Sequence, residues 1–226
     1  MNKINELHVG IAQNNKSLDE FISGLGFENN FLLPIDISGG AFASKLISSP
    51  GPMVSDFVTH EANFAYGTYG IHVGQDDRLT FMGPQNVMIE GSFVDCRAGS
   101  STLKNCVNIS FAPSMARRLV IPRGVAHTFD GLQHVVTRDE PIWHSDFNNP
   151  DWNIDNDLIS VNRDTAIHDF PIVRANRYRL PDELHVFQSR LSQSLLETPT
   201  AYLARYRVTD GNSTKYIMYD AGWGDK

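Results

Sequence analysis

The chain has 226 residues, of which 41% are hydrophobic and 20% charged, a composition typical of a folded globular protein and not of a disordered one. Its formal net charge is −7 and no basic cluster offsets it, which argues against a nucleic-acid partner. No apolar run approaches the length of a membrane span, and Met1–Glu6 lacks the apolar core of a signal peptide, so we expect a cytoplasmic protein without a membrane partner.

Residues 1–54 are predicted to form an N-terminal arm. Within it, Ser17–Gly26 has the composition of a short helix. Ser17 or Asp19 can cap its start, and Gly24 or Gly26 can end it.

The middle of the chain, residues 55–175, is predicted to be the main domain. From residue 54 to 140, short apolar or alternating runs are separated by turn residues, which favours an all-β sandwich or barrel. The predicted strands are Asp56–His60, Phe64–Val73, Leu79–Met82, Asn86–Asp95, Cys106–Ala112, Arg117–Ile121 and His134–Thr137. A break is predicted from Gly74 to Asp77, and residues 141–175 are polar and irregular in pattern.

The last stretch, residues 176–226, is predicted to be an extension of this domain. Apolar residues at helical spacing predict a helix from Leu184 to Leu196, opened by Pro181. Two alternating runs, Tyr202–Val208 and Lys215–Tyr219, flank an Asp-Gly pair and predict a β-hairpin.

The two cysteines, Cys96 and Cys106, do not form a Cys-x-x-Cys pair, and two sulfurs alone do not make a zinc site. We interpret them as buried thiols on neighbouring strands in a reducing compartment.

Three segments carry distinctive motifs: Gly91–Thr102 (GSFVDCRAGSST), Leu119–Phe129 (LVIPRGVAHTF) and Phe57–His72. They resemble the dTDP-4-dehydrorhamnose 3,5-epimerase family. Gly91–Thr102 is similar to a strand ending in V-D-x-R and followed by a G-S-P-T-F-like turn. Leu119–Phe129 (LVIPRGVAHTF) is similar to the family's W-I-P-x-G-x-A-H-G-F, and Phe57–His72 to a strand that begins F-V-Q and ends R-G-L-H. The resemblance covers about residues 55–165, roughly half of the chain, and its second segment is the most specific.

This resemblance implies a cupin barrel, that is, a double-stranded β-helix or jelly roll, with a few peripheral helices. It also implies a homodimeric isomerase that needs no cofactor or metal and epimerises a nucleotide-linked 4-keto sugar, such as a dTDP-sugar in deoxysugar biosynthesis. The sequence independently lacks the His-x-His pair of metal-binding cupins, since His72 and His127 each stand alone in the chain.

The catalytic residues that the resemblance implies are two histidines and a carboxylate. Epimerisation beside a ketone needs a base, and the ordinary pKa of histidine, about 6.5, suits that role. His72 matches the family's base and His127 its second active-site histidine. A carboxylate on the far nitrogen of His72 would fix its tautomer. Asp164 matches the family's L-S-x-K-D motif, and Asp155 and Asp157 remain alternatives.

The candidate substrate-binding residues lie where the chain departs from the family. Tyr69 replaces the arginine that contacts the diphosphate. Arg78 replaces the enolate-stabilising lysine if a two-residue gap is allowed, and it preserves a cation. The family's tyrosine proton donor has no counterpart in the segment before Arg138, which is itself a candidate for substrate binding. Trp143 can stack on a sugar or a base.

These departures leave two alternatives to an epimerase. One is a cupin that binds a sugar nucleotide without catalysis. The other is a different isomerase or lyase that acts on another small carbonyl compound, because a fold does not fix a function.

Overall fold

A computed structural model describes residues 5–8, 16–37, 41–47, 55–146, 148–149, 152, 156–181, 203–210 and 213–220. The described helices are α1 (Lys16–Phe21) and a 3₁₀ helix at Ile167–Asp169. The strands are β1 (Asn5–His8), β2 (Gly26–Asn29), β3 (Phe31–Ile37), β4 (Ala41–Ile47), β5 (Asp56–Thr59), β6 (Thr68–His72), β7 (Gln75–Met82), β8 (Ile89–Asp95), β9 (Cys106–Phe111), β10 (Arg117–Ile121), β11 (Val125–Asp130), β12 (Val136–Asp139), β13 (Ile142–Ser145), β14 (Leu158–Asn162), β15 (Tyr178–Arg179), β16 (Leu203–Asp210) and β17 (Ser213–Asp220).

Two larger sheets make up the main body. The six-stranded sheet has the order β1-β9-β8-β11-β6-β14, in which only β1 and β9 are parallel. The seven-stranded sheet has the path β15-β13-β7-β10-β2, with β12 pairing both β5 and β7. From β6 to β14 the chain passes repeatedly from one sheet to the other, as it does in a jelly roll. The all-β prediction is therefore confirmed.

Strand alternation divides the apolar residues between two clusters. The larger cluster has inward-facing aromatic residues from both sheets at its centre: Phe81, Phe93, Phe111 and Phe129. The smaller cluster lies on the other face of the six-stranded sheet, where Ile71, Val94 and Ala126 pack with Phe170 and Val173. Neighbouring residues of one strand, such as Phe93 and Val94, thus belong to different clusters.

Several predicted elements agree with the structure and others differ. Strand β10 has both predicted bounds, and β16 and β17 form the predicted antiparallel hairpin. A break at Gly74 does separate β6 from β7, but it is shorter than predicted, because β7 already begins at Gln75. The strands that were not predicted are β1, β2, β3, β4, β11, β13, β14 and β15. The predicted helix Leu184–Leu196 lies outside the described residues.

The segment before residue 30 contributes a strand to each sheet. Strand β1 pairs with β9 in the six-stranded sheet, and β2 pairs with β10 in the seven-stranded sheet. Cys96 and Cys106 are buried thiols, as predicted. Neither described helix is long and apolar enough to cross a membrane.

Candidate active site

A histidine–carboxylate pair lies at the end of β6. His72 Nδ1 is 2.8 Å from Asp157 Oδ2. The other Asp157 oxygen accepts hydrogen bonds from Gly74 N at 2.5 Å and from Trp152 Nε1 at 2.6 Å. Because a carboxylate only accepts, Nδ1 of His72 carries the proton and Nε2 is left facing the interior.

The second histidine, His127, is positioned by a glycine turn. Gly124 has φ of 80°, a left-handed conformation that suits glycine, and its N–H donates to His72 O at 2.6 Å. Strand β11 starts at the next residue and places His127 opposite Gly70 of β6. The rings of His72 and His127 are stacked with centroids 5.9 Å apart.

A carboxylate from the facing sheet approaches both histidines. Asp77 of β7 is buried, with Oδ2 3.2 Å from His127 Nε2 and Oδ1 3.9 Å from His72 Nε2. One ligand atom from each of the three side chains lies within 4.8 Å of the other two. Residues that stand apart in the chain are thus brought together as a group of possible metal ligands.

A second carboxylate, Asp139 of β12, lies close to Asp77. Gln75 Nε2 donates to Asp77 Oδ1 and, at 3.0 Å, to Asp139 Oδ2, so that one amide bridges the two acids. Burial first, and then the charge of Asp77, raise the pKa of Asp139 well above its ordinary value. Asp139 therefore retains its proton to higher pH than an exposed aspartic acid.

The two histidines have pKa values shifted in opposite directions. Burial alone lowers the pKa of His72, but the charge of Asp77 together with the hydrogen bond and charge of Asp157 outweighs burial and raises it to about 9. Burial lowers the pKa of His127, and the charge of Asp77 only partly offsets this. Near neutral pH the imidazole of His72 is therefore charged and that of His127 is neutral.

These groups line a cavity of about 260 Å³ between the two sheets. Its polar end includes His72, Asp77, His127 and Asp139. Its described lining residues include no lysine or arginine; the remaining ones are Val58, Tyr66, Thr68, Gly70, Gln75, Leu79, Phe81, Thr128, Phe129, Leu132, Thr137 and Leu158. The cavity can hold one sugar ring but is small for a whole nucleotide sugar.

The structure brings His72 and His127 together as predicted but pairs His72 with a different carboxylate. Asp164 is exposed in the turn after β14, whereas Asp157 lies just before that strand, where Leu158 pairs with His72. The assignment of Asp164 is therefore corrected to Asp157, one of the two alternatives. Asp155 lies outside the described residues.

The four predicted substrate-binding residues do not line this cavity. Tyr69 packs edge-on against Phe170 on the outer face of the six-stranded sheet. Arg78 points away from the interior and donates to Glu140 O at 3.1 Å, because alternation along β7 turns Asp77 inward instead. Arg138 lies between Thr137 and Asp139 on β12; those two residues line the cavity, and the side chain of Arg138 points outward. It donates to Ser55 Oγ at 3.0 Å and to Glu140 Oε1 at 3.1 Å.

Trp143 is the fourth of these residues. It lies on β13 opposite Gln75, with its ring centroid 6.3 Å from that of Trp152. Trp152 in turn donates to Asp157, so Trp143 supports the wall behind the histidine–carboxylate pair and does not itself reach the cavity.

Sequence reasoning missed Asp77, Asp139 and Gln75. The available signal was strand alternation: had β7 been started at Gln75, then Gln75, Asp77, Leu79 and Phe81 would have fallen on one face. Two polar residues followed by two apolar ones on an inward face indicate a barrel interior that is polar at one end.

A larger, open cleft of about 610 Å³ lies elsewhere on the surface. It is lined by Arg97, Arg174 and Arg177 and by the turn Ala98–Ser101. Its described lining residues include neither a histidine nor a carboxylate, so it offers no acid–base pair. We therefore place the candidate site in the smaller cavity.

The fold and the cavity define a class: a jelly-roll barrel with a histidine–carboxylate pair in its interior. No protein-family model and no curated protein matches the sequence. Among solved structures, the chain resembles a dTDP-4-dehydrorhamnose 3,5-epimerase from Bacillus anthracis at 16% identity and a TM-score of 0.47, covering 71% of this chain and 91% of that one.

Two further solved structures are similar to the same degree. The epimerase from Mycobacterium tuberculosis has 11% identity and a TM-score of 0.46, covering 78% of this chain and 95% of that one. The dTDP sugar isomerase from Desulfovibrio desulfuricans has 14% identity and a TM-score of 0.44, covering 65% of this chain and 94% of that one. At these identities the likeness concerns the fold alone.

Proposed function

We propose that the protein is an epimerase of a nucleotide-linked 4-keto sugar, which inverts C3, C5 or both. The observation that carries this proposal is the pair of His72 and Asp157, with Nε2 of His72 facing a cavity that fits one sugar ring. The nucleotide would then lie at or beyond the mouth of the cavity, near the exposed side chains of Val58 and Leu158.

The first step is removal of the proton from the carbon beside the ketone by His72 Nε2. Asp157 holds the imidazole and stabilises the imidazolium that forms. Positive charge for the enolate then comes from that imidazolium, because the described cavity wall lacks lysine and arginine. The hydroxyl groups of Tyr66, Thr68 and Thr137 also line the cavity and can donate to the enolate oxygen.

The second step is return of a proton to the opposite face of the sugar, and Asp139 suits it by position. His72 lies on the six-stranded sheet, whereas Asp139 lies on β12 of the seven-stranded sheet, across the cavity. Its raised pKa keeps a proton available. Asp139 thus fills the role for which the sequence offered no tyrosine.

The test is proton exchange in deuterated water, in the presence of a chelator. A dTDP-4-keto-6-deoxyhexose is incubated with the protein, and the C3 and C5 protons are followed by NMR. We expect exchange in the wild type and a loss of roughly 100-fold or more in His72→Gln, the usual contribution of a general base. Asp139→Asn should still exchange protons but should fail to invert the carbon.

The matched control is His144→Gln. His144 is also a buried histidine near a carboxylate, with Nε2 3.8 Å from Asp76 Oδ2, but it does not line the cavity. It should exchange at the wild-type rate. Absence of exchange in folded wild-type protein would contradict the proposal for this sugar and favour another carbonyl substrate or a binding role. The homodimer stays a prediction, which light scattering after size-exclusion chromatography checks.

A further inference from the structure

The three side chains at the polar end of the cavity leave their hydrogen bonding incomplete. His72 Nδ1 donates to Asp157 and His127 Nδ1 to Val125 O at 3.2 Å, so each ring carries its proton on Nδ1. When both rings are neutral, their Nε2 atoms present lone pairs toward Asp77, whose oxygens are also acceptors. A proton on either Nε2 provides a donor for the Asp77 carboxylate but leaves the other Nε2 without a partner. One cation between the three side chains would interact with both Nε2 atoms and with the carboxylate.

We propose that His72, Asp77 and His127 bind a single divalent transition-metal ion in this cavity. Two imidazoles and one carboxylate are the ligand set of open metal sites that hold zinc or iron. The proposal goes beyond the proton chemistry above and does not depend on it.

The distances suit such an ion. Tetrahedral ligands at about 2.1 Å from a metal lie roughly 3.4 Å from one another. The contacts from Asp77 Oδ2 to His127 Nε2 at 3.2 Å and from Asp77 Oδ1 to His72 Nε2 at 3.9 Å lie on either side of that value. Small rotations of the side chains would complete the geometry.

The surroundings are also those of a built metal site. Metal-bound histidines commonly donate their other N–H to a carboxylate or a carbonyl, and here one does each: His72 to Asp157 and His127 to Val125. Asp77 is held by Gln75 and is almost fully buried. The cavity in front leaves the remaining coordination positions open to water or a small ligand.

The metal-bound and proton-transferring forms exclude each other. A bound ion occupies His72 Nε2, the atom that would take the proton from a sugar. Zinc would therefore inhibit the exchange reaction, and a chelator would restore it.

The experiment is titration of the chelator-treated protein with Zn²⁺ by calorimetry, supported by the visible absorption of Co²⁺. We expect one ion per chain. Asp77→Asn and His127→Gln should each weaken zinc binding by more than about 100-fold, because even loss of an outer partner of a ligand costs 10- to 100-fold. Asp157→Asn, which removes only such a partner, should cost about 10- to 100-fold.

The matched control is His168→Gln, which removes an exposed histidine 3.5 Å from Asp169. It should bind zinc as tightly as the wild type. Circular dichroism shows that each variant is folded, and the Co²⁺ spectrum of the wild type tests the site without any substitution. The proposal is overturned if folded wild-type protein takes up no stoichiometric zinc, or if His168→Gln loses binding while Asp77→Asn keeps it. Neither result affects proton exchange between sugar and solvent, because that reaction is measured with chelator present. The metal-site proposal and the epimerase proposal can therefore be disproved independently of each other.

Discussion

At the scale of single residues, Asp95 is a buried carboxylate whose side chain is held, among the described residues, by donors from the turn that follows it. Arg97 binds it through Nε at 2.9 Å and Nη2 at 2.7 Å, and the hydroxyls of Ser100 and Thr102 donate at 2.7 and 2.6 Å. Burial alone would raise the pKa of Asp95, but these hydrogen bonds outweigh it and lower the pKa below its ordinary value. The ionised form therefore stabilises the fold.

We expect Asp95→Asn to reduce the free energy of unfolding by about 3 kcal/mol at pH 7, because it leaves Arg97 without its charged partner. The stabilisation by Asp95 is complete above the unfolded pKa near 3.9 and is lost as the pH falls through the lower folded value. The difference between the proteins should therefore shrink below about pH 4. Urea unfolding across this range measures it, and the exposed Asp164→Asn should change stability by less than about 0.5 kcal/mol.

The pH dependence of proton exchange provides a second residue-scale prediction. His72 must lose its proton to act as a base, and its pKa is raised to about 9. With chelator present, kcat/KM for exchange should rise with pH up to about 9. Asp77→Asn removes the largest contribution that raises this pKa, so its profile should rise at lower pH. A wild-type profile that levels off near 6.5 would contradict this assignment.

The sequence predicted His72 and His127 because each lies in a long family-like motif, but it misassigned their carboxylate. Asp157 and His72 are 85 positions apart and meet only because β14 pairs with β6. A five-residue motif ending at Asp164 could not encode that register. Arg78 was predicted to bind substrate because it is charged. The alternation of side chains along β7, however, turns Asp77 and not Arg78 toward the cavity.

At the scale of elements, the turn before β11 depends on Gly124. A Cβ at this position would lie 2.5 Å from Arg97 Cγ, and φ is already positive. Gly124→Ala should destabilise the fold by about 2–3 kcal/mol and weaken zinc binding, because it displaces the start of the strand that carries His127. Denaturant unfolding and calorimetry measure the two effects.

Gly99→Ala is the control for this substitution. Gly99 has a similar φ of 79°, but a Cβ there meets nothing within 4 Å. Gly99→Ala should therefore lower the free energy of unfolding only by the cost of placing alanine at a positive φ, about 1 kcal/mol. It should leave the zinc affinity unchanged. Equal losses for the two variants would show that the contact with Arg97 is unimportant.

Strand β14, which the sequence failed to predict, has a weak hydrophobic pattern. In β14 only Val161 is buried, and Leu158 and Ser160 are exposed, so the strand lacks an apolar stripe. It forms because its backbone pairs with β6 at the edge of the six-stranded sheet. By contrast, β10 was predicted with correct bounds, since alternating burial and flanking turns identify it.

At the scale of the whole molecule, the two thiols report on opening of the barrel. Cys96 and Cys106 are buried, and burial raises the pKa of Cys96 to about 11. We expect both to react with a thiol reagent only as fast as the protein unfolds. Urea below the unfolding transition should leave them protected, and rapid reaction in native buffer would contradict the described packing.

The passage of the chain between the two sheets has a kinetic consequence. His72, Asp77 and His127 come from β6, β7 and β11, and β7 lies in the opposite sheet from the other two. Such non-local topologies fold slowly, because distant segments must meet before contacts stabilise them. A half-folded chain would have its histidines on one unclosed layer and its aspartate on another. Tight zinc binding would therefore appear only when the two sheets have come together. Its appearance during refolding would report the time at which the barrel closes.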